Sequence, residues 1–250
     1  MWAVMERLLA PDGCSWDRQQ TPESLRNFVL EEAHEVVDAI DHGDVQELRE
    51  ELGDLLFQVV FLSAIAQRRG WFGLDDVVRG IADKLERRHP HVFGANADGT
   101  ATPSAADWEE LKRKEKGERP LLGGIPASLP ALLRAFKVGQ RASRVGLDFP
   151  TPEGARAKVF EELAELDEVL QDRDPVAAER ELGDVLFSVV NWSRLQGLDP
   201  ESGLRGAVER FARRVAAMEA SVGRSGRTLR DLSEGELDAM WERVKAAPDG

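Results

Sequence analysis

The chain is written twice. TPESLRNFVLEEAHEVVDAIDHGDVQELREELGDLLFQVVFLSAI (21–65) returns as TPEGARAKVFEELAELDEVLQDRDPVAAERELGDVLFSVVNWSRL (151–195), without a gap, at an offset of 130. Eighteen of the 45 positions are identical, so any fold must be built twice from one plan. The likeness continues with small shifts: KLERR (84–88) answers RFARR (210–214), and WEELK (108–112) answers WERVK (241–245). A period this long means duplicated domains rather than a solenoid. GERPLLGGIPASLP (117–130) reads as a Gly/Pro-rich linker. The expected division is a first domain at 1–116, a linker at 117–130 and a second domain at 131–250. GANADGTATPSAA (94–106), small and polar, reads as a mobile loop inside the first half.

Both copies read as helical. Leu25, Phe28, Val29, Val36 and Ile40 recur at helical spacing. Thr21-Pro22-Glu23 and Thr151-Pro152-Glu153 have the form of N-caps with proline in the first helical position. Gly43-Asp44 and Asp172-Arg173-Asp174-Pro175 break each copy into two helices. The spacing predicts hairpins of 21–41 with 45–69 and of 151–171 with 176–196, followed by further helices, in an all-α protein. Two helices cannot enclose a core alone, so the hairpins are expected to pair into four-helix bundles, within a chain or between chains.

Composition narrows the function. Of 250 residues, 42% are hydrophobic and 32% charged, as in a globular protein. The net charge of −13 argues against a general nucleic-acid binder and suits a protein that gathers cations. The single cysteine, Cys14, excludes a disulfide framework within the chain. LLFQVVFLSAIA (55–66) is too short and too polar to span a bilayer, and no signal peptide is recognisable; a cytoplasmic protein is expected.

Five acids recur in place: Glu31/Glu161, Glu32/Glu162, Glu35/Glu165, Glu51/Glu181 and Asp54/Asp184. In the loop-side segment 36–50 against 166–180, only Asp44/Asp174 matches, yet every acid of the motif survives. Glu32 and Glu35, three apart, share one helix face, as do Glu51 and Asp54. In the second copy the stripe runs Glu181, Asp184, Ser188, Asn191, while Leu182, Leu186 and Val189 occupy another face. If the two helices pack antiparallel with these stripes facing, four carboxylates converge, and hard divalent cations are what such a set accommodates. Lys84, Arg87 and Arg88, with Arg210, Arg213 and Arg214, are either solvated surface or, beside such a centre, grips for a polyphosphate. Trp108 and Trp241 either stack on a nucleobase or anchor helices. Glu31-x-x-His34 matches the Glu-x-x-His of di-iron carboxylate bundles, but the second copy has Ala164 in that place. A non-enzymatic helical module solubilised by its acids is the remaining reading.

The ordered set EExxE, ExxD, DGCSWDRQQT (12–21), ELGDLLFQVVF (51–61), KLERRHPHVFG (84–94) and WEELKRKEK (108–116) resembles the all-α nucleoside triphosphate pyrophosphohydrolases, and the duplication resembles the MazG family. The likeness covers nearly the whole chain. It implies an all-α homodimer that uses Mg²⁺, with Mn²⁺ as a substitute, to split nucleoside triphosphates into monophosphate and pyrophosphate, with a part in nucleotide-pool housekeeping. A narrower substrate such as dUTP or an oxidised nucleotide is an alternative. The resemblance places the metal ligands on Glu162, Glu165, Glu181 and Asp184, with Glu32, Glu35, Glu51 and Asp54 as the first-copy acids. It places nucleotide contacts on Lys158, on Ala177, Ala178, Glu179 and Arg180, on the cluster Arg210 to Arg214, and on Trp241. Glu161 is the expected proton acceptor for the attacking water. The copies differ where phosphate would sit. Lys158 is Phe28 in the first, and Ala212 is Glu86. Most of the activity is therefore expected in the second half.

Overall fold

The computed structural model describes residues 1–94 and 120–246. The chain divides into two units, Met1–Lys116 and Gly117–Gly250, each taken by itself below. No strand occurs among the described residues. Nor is any of their helices long and apolar enough to cross a membrane.

In the first unit, α1 (Trp2–Leu8) and a 3-10 turn (Asp17–Gln19) precede the hairpin of α2 (Pro22–His42) and α3 (Val45–Arg68). The boundaries follow from capping chemistry. Thr21 Oγ1 accepts from the Ser24 amide at 3.2 Å while Ser24 Oγ accepts from the Thr21 amide at 2.9 Å, a reciprocal cap ahead of Pro22. Gly43 ends α2 in the left-handed region (φ 72°), and Asp44 then accepts from the Gln46 and Glu47 amides at 2.8 and 3.1 Å. The core forms where α1 crosses the far end of the hairpin. Met5, Leu9, Leu25, Val60, Phe61, Ala64 and Ile65 are buried together, with Trp2, Phe28, Phe57 and Leu74 packed around them. Arg68 closes this end by donating to the Leu9 carbonyl. Next come α4 (Leu74–Arg88) and the short α5 (Pro90–Phe93).

The second unit repeats the hairpin as α7 (Pro152–Asp172) and α8 (Pro175–Leu195), preceded by α6 (Ala131–Ser143). Thr151 Oγ1 accepts from the Gly154 amide at 3.2 Å, and Asp174 accepts from the Val176 and Ala177 amides at 3.0 and 3.1 Å. The pair Asp44/Asp174 thus persists in an otherwise diverged segment because each starts the returning helix. Between the helices, Arg173 takes the left-handed conformation (φ 56°) that Gly43 takes in the first copy. α6 packs closely on α8: a Cβ on Gly139 would meet Asn191 Oδ1 at 2.4 Å, so any larger residue there obliges the Asn191 side chain to move. Arg194, nearly buried, pairs with Asp148 beside that contact. α9 (Pro200–Gly223) lies against α6 and α8, and after a 3-10 turn (Leu229–Asp231), α10 (Glu234–Ala246) packs on α9.

All-helical architecture and tandem hairpins are as the sequence reading expects, with helix ends displaced by no more than one residue. The helices α1 and α6, ahead of each hairpin, are additions to it. Each hairpin also keeps one apolar face uncovered, at equivalent positions: Leu30 and Phe160, Ile40 and Leu170, Leu52 and Leu182, Leu56 and Leu186 are all exposed. The 94–106 loop falls largely, and Trp108 wholly, outside the described residues.

Candidate metal centre

Antiparallel packing of each hairpin sets the first acid of the second helix's ExxD motif opposite the i, i+3 pair of the first helix. Glu32 and Glu35 of α2 and Glu51 of α3 bring one carboxylate oxygen each to within 4.8 Å of one another. Glu162 and Glu165 of α7 with Glu181 of α8 do the same. Oxygens on opposite sides of a Mg²⁺ ion lie about 4.2 Å apart, and about 4.8 Å around Ca²⁺, so either triad can close on one divalent ion. Asp54 and Asp184 are not part of these triads. The carboxylates meeting at each centre are three rather than the four that convergence of the full stripes implies.

The electrostatics of the first triad favour a cation. Burial raises the Glu32 carboxyl above its usual range; the Gln58 hydrogen bond opposes this, and the charges of Asp54 and Glu35 add to it. Glu51 is raised by burial and then by Asp54, Glu32, Glu47 and Glu50. Gln58 lies beneath, 5% exposed. Its Nε2 donates to Glu32 Oε1 at 3.3 Å, while its own Oε1, buried, has no partner. A buried amide oxygen left open beside clustered carboxylates suits a bound cation and its hydration, because unpaired burial of such an oxygen is otherwise unfavourable. Gln58 continues the Glu51–Asp54 stripe as Ser188, also buried, continues Glu181–Asp184. Gln58 stands in the first copy where the second-copy stripe has Ser188, which is the signal in the sequence that singles it out.

The second triad differs in its neighbours. Glu162 and Glu181 are both buried at 7% exposure. Lys158 Nζ lies 2.9 Å from Glu162 Oε1 and 2.7 Å from Glu161 Oε1, and these bonds raise the lysine pKa. Arg180 donates through Nη2 and Nε to Glu181 Oε1 at 2.8 and 3.3 Å. Glu165 is raised by burial and then by Glu162, with Lys158 opposing. Glu161 is exposed and stands outside the triad, held by Lys158.

The other candidate contacts lie on α8, α9 and α10 of the second unit and on α4 of the first. Ala177, Ala178, Glu179 and Arg180 are the third to sixth residues of α8. There the Ala177 amide is satisfied by the Asp174 carboxylate and the Ala178 amide by the Asp174 carbonyl, so that stretch offers side chains rather than free amides. Arg210 and Arg213 are exposed on α9; Arg214 lies with its guanidinium 5.8 Å from the Trp241 ring centroid. Trp241 packs on Phe211 at 5.2 Å, half-buried between α9 and α10, which makes it at least a helix anchor. In the first unit, Lys84 is half-buried, Arg87 exposed and Arg88 buried near the end of α4. His34 is exposed and takes no part in the acid triad.

Fold and site together define a tandem helical-hairpin protein, each hairpin gathering acids able to hold a divalent ion. The MazG nucleotide pyrophosphohydrolase domain profile matches residues 20–93 and again 150–217. A Thermotoga maritima protein described as nucleoside triphosphate pyrophosphohydrolase/pyrophosphatase MazG is 44% identical, over 99% of this chain and 95% of its own. The nucleoside triphosphate pyrophosphohydrolase of Escherichia coli strain K12 is 41% identical, over 97% of this chain and 94% of its own. A solved MazG-related protein from Thermotoga maritima overlaps 46% of this chain and 96% of its own at 28% identity, with a TM-score of 0.37, too low to bear on the fold. The chain belongs to the MazG nucleotide pyrophosphohydrolase family and carries that domain twice.

Proposed function

We propose that the chain hydrolyses nucleoside triphosphates to monophosphate and pyrophosphate with Mg²⁺, or Mn²⁺ in its place, and that the second half carries most of this activity. The observation that carries the reading is the second triad, Glu162, Glu165 and Glu181, set beside Lys158 and Arg180. Acids for a cation and cations for a phosphate chain are adjacent there, whereas Phe28 and Glu50 fill the two basic positions in the first half. When bound, a divalent ion would neutralise phosphate charge, lower the pKa of the attacking water and stabilise the departing pyrophosphate.

The chain's own groups supply the rest. Glu162, Glu165 and Glu181 hold the ion, with Asp184 one turn along α8 as a further ligand. Lys158, Arg180, Arg210, Arg213 and Arg214 bind and orient the triphosphate, Arg through its planar fork and Lys as a point charge. Glu161, outside the triad, accepts the water's proton. Positioning and charge neutralisation carry most of the acceleration. In the first half Glu32, Glu35, Glu51 and Asp54 hold an ion, with Lys84, Arg87 and Arg88 as a weaker phosphate grip.

The exposed apolar faces shared by the two hairpins support a homodimer, a second copy covering Leu52, Leu56, Leu182 and Leu186. A nucleotide-pool housekeeping enzyme of the cytoplasm is the setting this chemistry suits. Incubation with a panel of nucleoside triphosphates, dUTP and oxidised nucleotides included, tests the reading. Monophosphate plus pyrophosphate across the panel is expected, cleavage of a single member would make the enzyme a narrow one, and diphosphate plus orthophosphate would refute it.

A further inference from the structure

The second triad already holds positive charge. Lys158 Nζ sits 2.9 Å from Glu162 Oε1 and Arg180 Nη2 sits 2.8 Å from Glu181 Oε1, so two of the three triad carboxylates touch a cation of the chain itself. Lys158 can do this because it lies four residues before Glu162 on one helix face; it also reaches Glu161, at 2.7 Å. The first triad is built without these partners, since Phe28 and Glu50 stand in the corresponding places.

We propose that Lys158, seconded by Arg180, is a built-in counter-cation that occupies the second centre ahead of the divalent ion. A divalent ion entering the second centre then displaces the ammonium from Glu162 and frees it for an anionic phosphate chain. This rests on the triad acids being metal ligands. A divalent ion about 2.1 Å from Glu162 Oε1 would come within contact range of an ammonium bonded to the same atom, and two cations that close repel strongly in a partly enclosed site. The ammonium does not leave empty-handed: Glu161 remains within reach on the adjoining turn, so the side chain swings rather than losing all its bonds. Lys158 is thus a positioning residue that couples metal entry to phosphate capture. The two halves bind metal differently as a result. The first centre takes its ion without competition, and the second takes its ion best when a triphosphate is present to receive the displaced cations.

Calorimetry with Mn²⁺ on the full chain tests this. Glu32→Gln with Glu51→Gln weakens the first centre so that the second is read alone; Glu162→Gln with Glu181→Gln does the reverse. In the first background, Lys158→Met should tighten Mn²⁺ binding by about tenfold, because it removes a competitor held by a buried carboxylate. A non-hydrolysable triphosphate analogue should tighten Mn²⁺ binding less in Lys158→Met than in the same background with Lys158 intact. In the second background, Phe28→Lys should weaken Mn²⁺ binding at the first centre. Mn²⁺ binding that is measurable in the background yet unmoved by Lys158→Met overturns the counter-cation, whatever Phe28→Lys does, since Phe28 also packs on the core. Absence of Mn²⁺ binding from the unsubstituted chain overturns instead the assignment of the acids as metal ligands.

Discussion

Replacing Glu181 with glutamine should stabilise the metal-free protein while disabling it. Glu181 is 7% exposed and its carboxylate faces those of Glu162 and Glu165 within 4.8 Å. Two unit charges at that distance repel by about 0.9 kcal/mol in water and about 3.5 kcal/mol at an effective dielectric of 20. Glu181 feels two such neighbours. Lys158 offsets part of the repulsion through Glu162. Arg180, bonded to Glu181 but 75% exposed, contributes little through its own pair. Removing the charge without changing the side chain's shape should therefore release about 1 kcal/mol. For a chain of this size that is a rise of about 2–4 °C in Tm, measured in chelator.

Divalent ion should reverse the comparison. The unsubstituted protein gains stability by binding it at both centres, whereas Glu181→Gln has lost a ligand of the second centre and should lose the second unit's share of the metal-dependent rise in Tm, the first centre keeping its own. Pyrophosphate release should fall by about 10²–10³, the scale of losing one preorganised electrostatic contact to the reacting phosphates. Glu51→Gln, the same change in the first half, should leave most of the release intact. A Glu181→Gln protein that is less stable than its parent in chelator, keeps the full metal-induced rise in Tm and releases pyrophosphate normally would refute the reasoning. Equal loss of release from both substitutions would refute the assignment of activity to the second half.

Other consequences are structural. Arg173 holds a left-handed conformation that Gly43 adopts freely, so Arg173→Gly should stabilise the second unit by about 0.5–1 kcal/mol in denaturant unfolding. Phe61 is fully buried where α1, α2 and α3 meet; Phe61→Ala should destabilise the first unit by about 3–5 kcal/mol, read as an early transition in calorimetry. The Glu236 carboxyl is lowered to about 2, chiefly by the Ser233 amide and then by Arg227 and the Ser233 hydroxyl, which it joins at the start of α10. Its stabilisation is complete above the ordinary glutamate value of 4.5 and is lost as pH falls through about 2. Amide exchange in α10 should accelerate over that window, and Glu236→Gln should remove the dependence.

Much of this architecture is local chemistry and was legible in the sequence. Thr-Pro-Glu starts a helix, Asp44 and Asp174 start the returning one, and periodic apolar residues fill what lies between. The i, i+3 acids share a face by geometry alone, so a meeting of acids from both helices followed once the hairpin was granted, but that Asp54 and Asp184 stay outside the triads did not. What escaped was set by tertiary contact. The helix α1 is only seven residues long, too short to be stable alone, and exists because Met5 and its neighbours are buried on α3. Gln58 reads as an ordinary polar residue until its burial against Glu32 is seen. Lys158 lies within reach of both Glu161 and Glu162 in any helix, at i, i+3 and i, i+4, and a four-carbon stem leaves the choice to the surrounding field. That choice could not be read from spacing.

Each hairpin helix answers to two surfaces at once, and this explains why acids sit on an apolar helix. On α8, Glu181 meets the acids of α7 and Ser188 is buried, while Leu182 and Leu186 remain exposed. The hairpin's own partner helices cover its end, through α1 in the first unit and α6 in the second, and leave that second face to be filled by something else. A second copy covering that face, as in the proposed homodimer, would lower the local dielectric and strengthen the charge interactions at the centre. Metal affinity and association would then be coupled through the thickness of a single helix. The exposed leucines and the buried glutamates would be two sides of one requirement, a cation site dry enough to hold its ion and rigid enough to aim it.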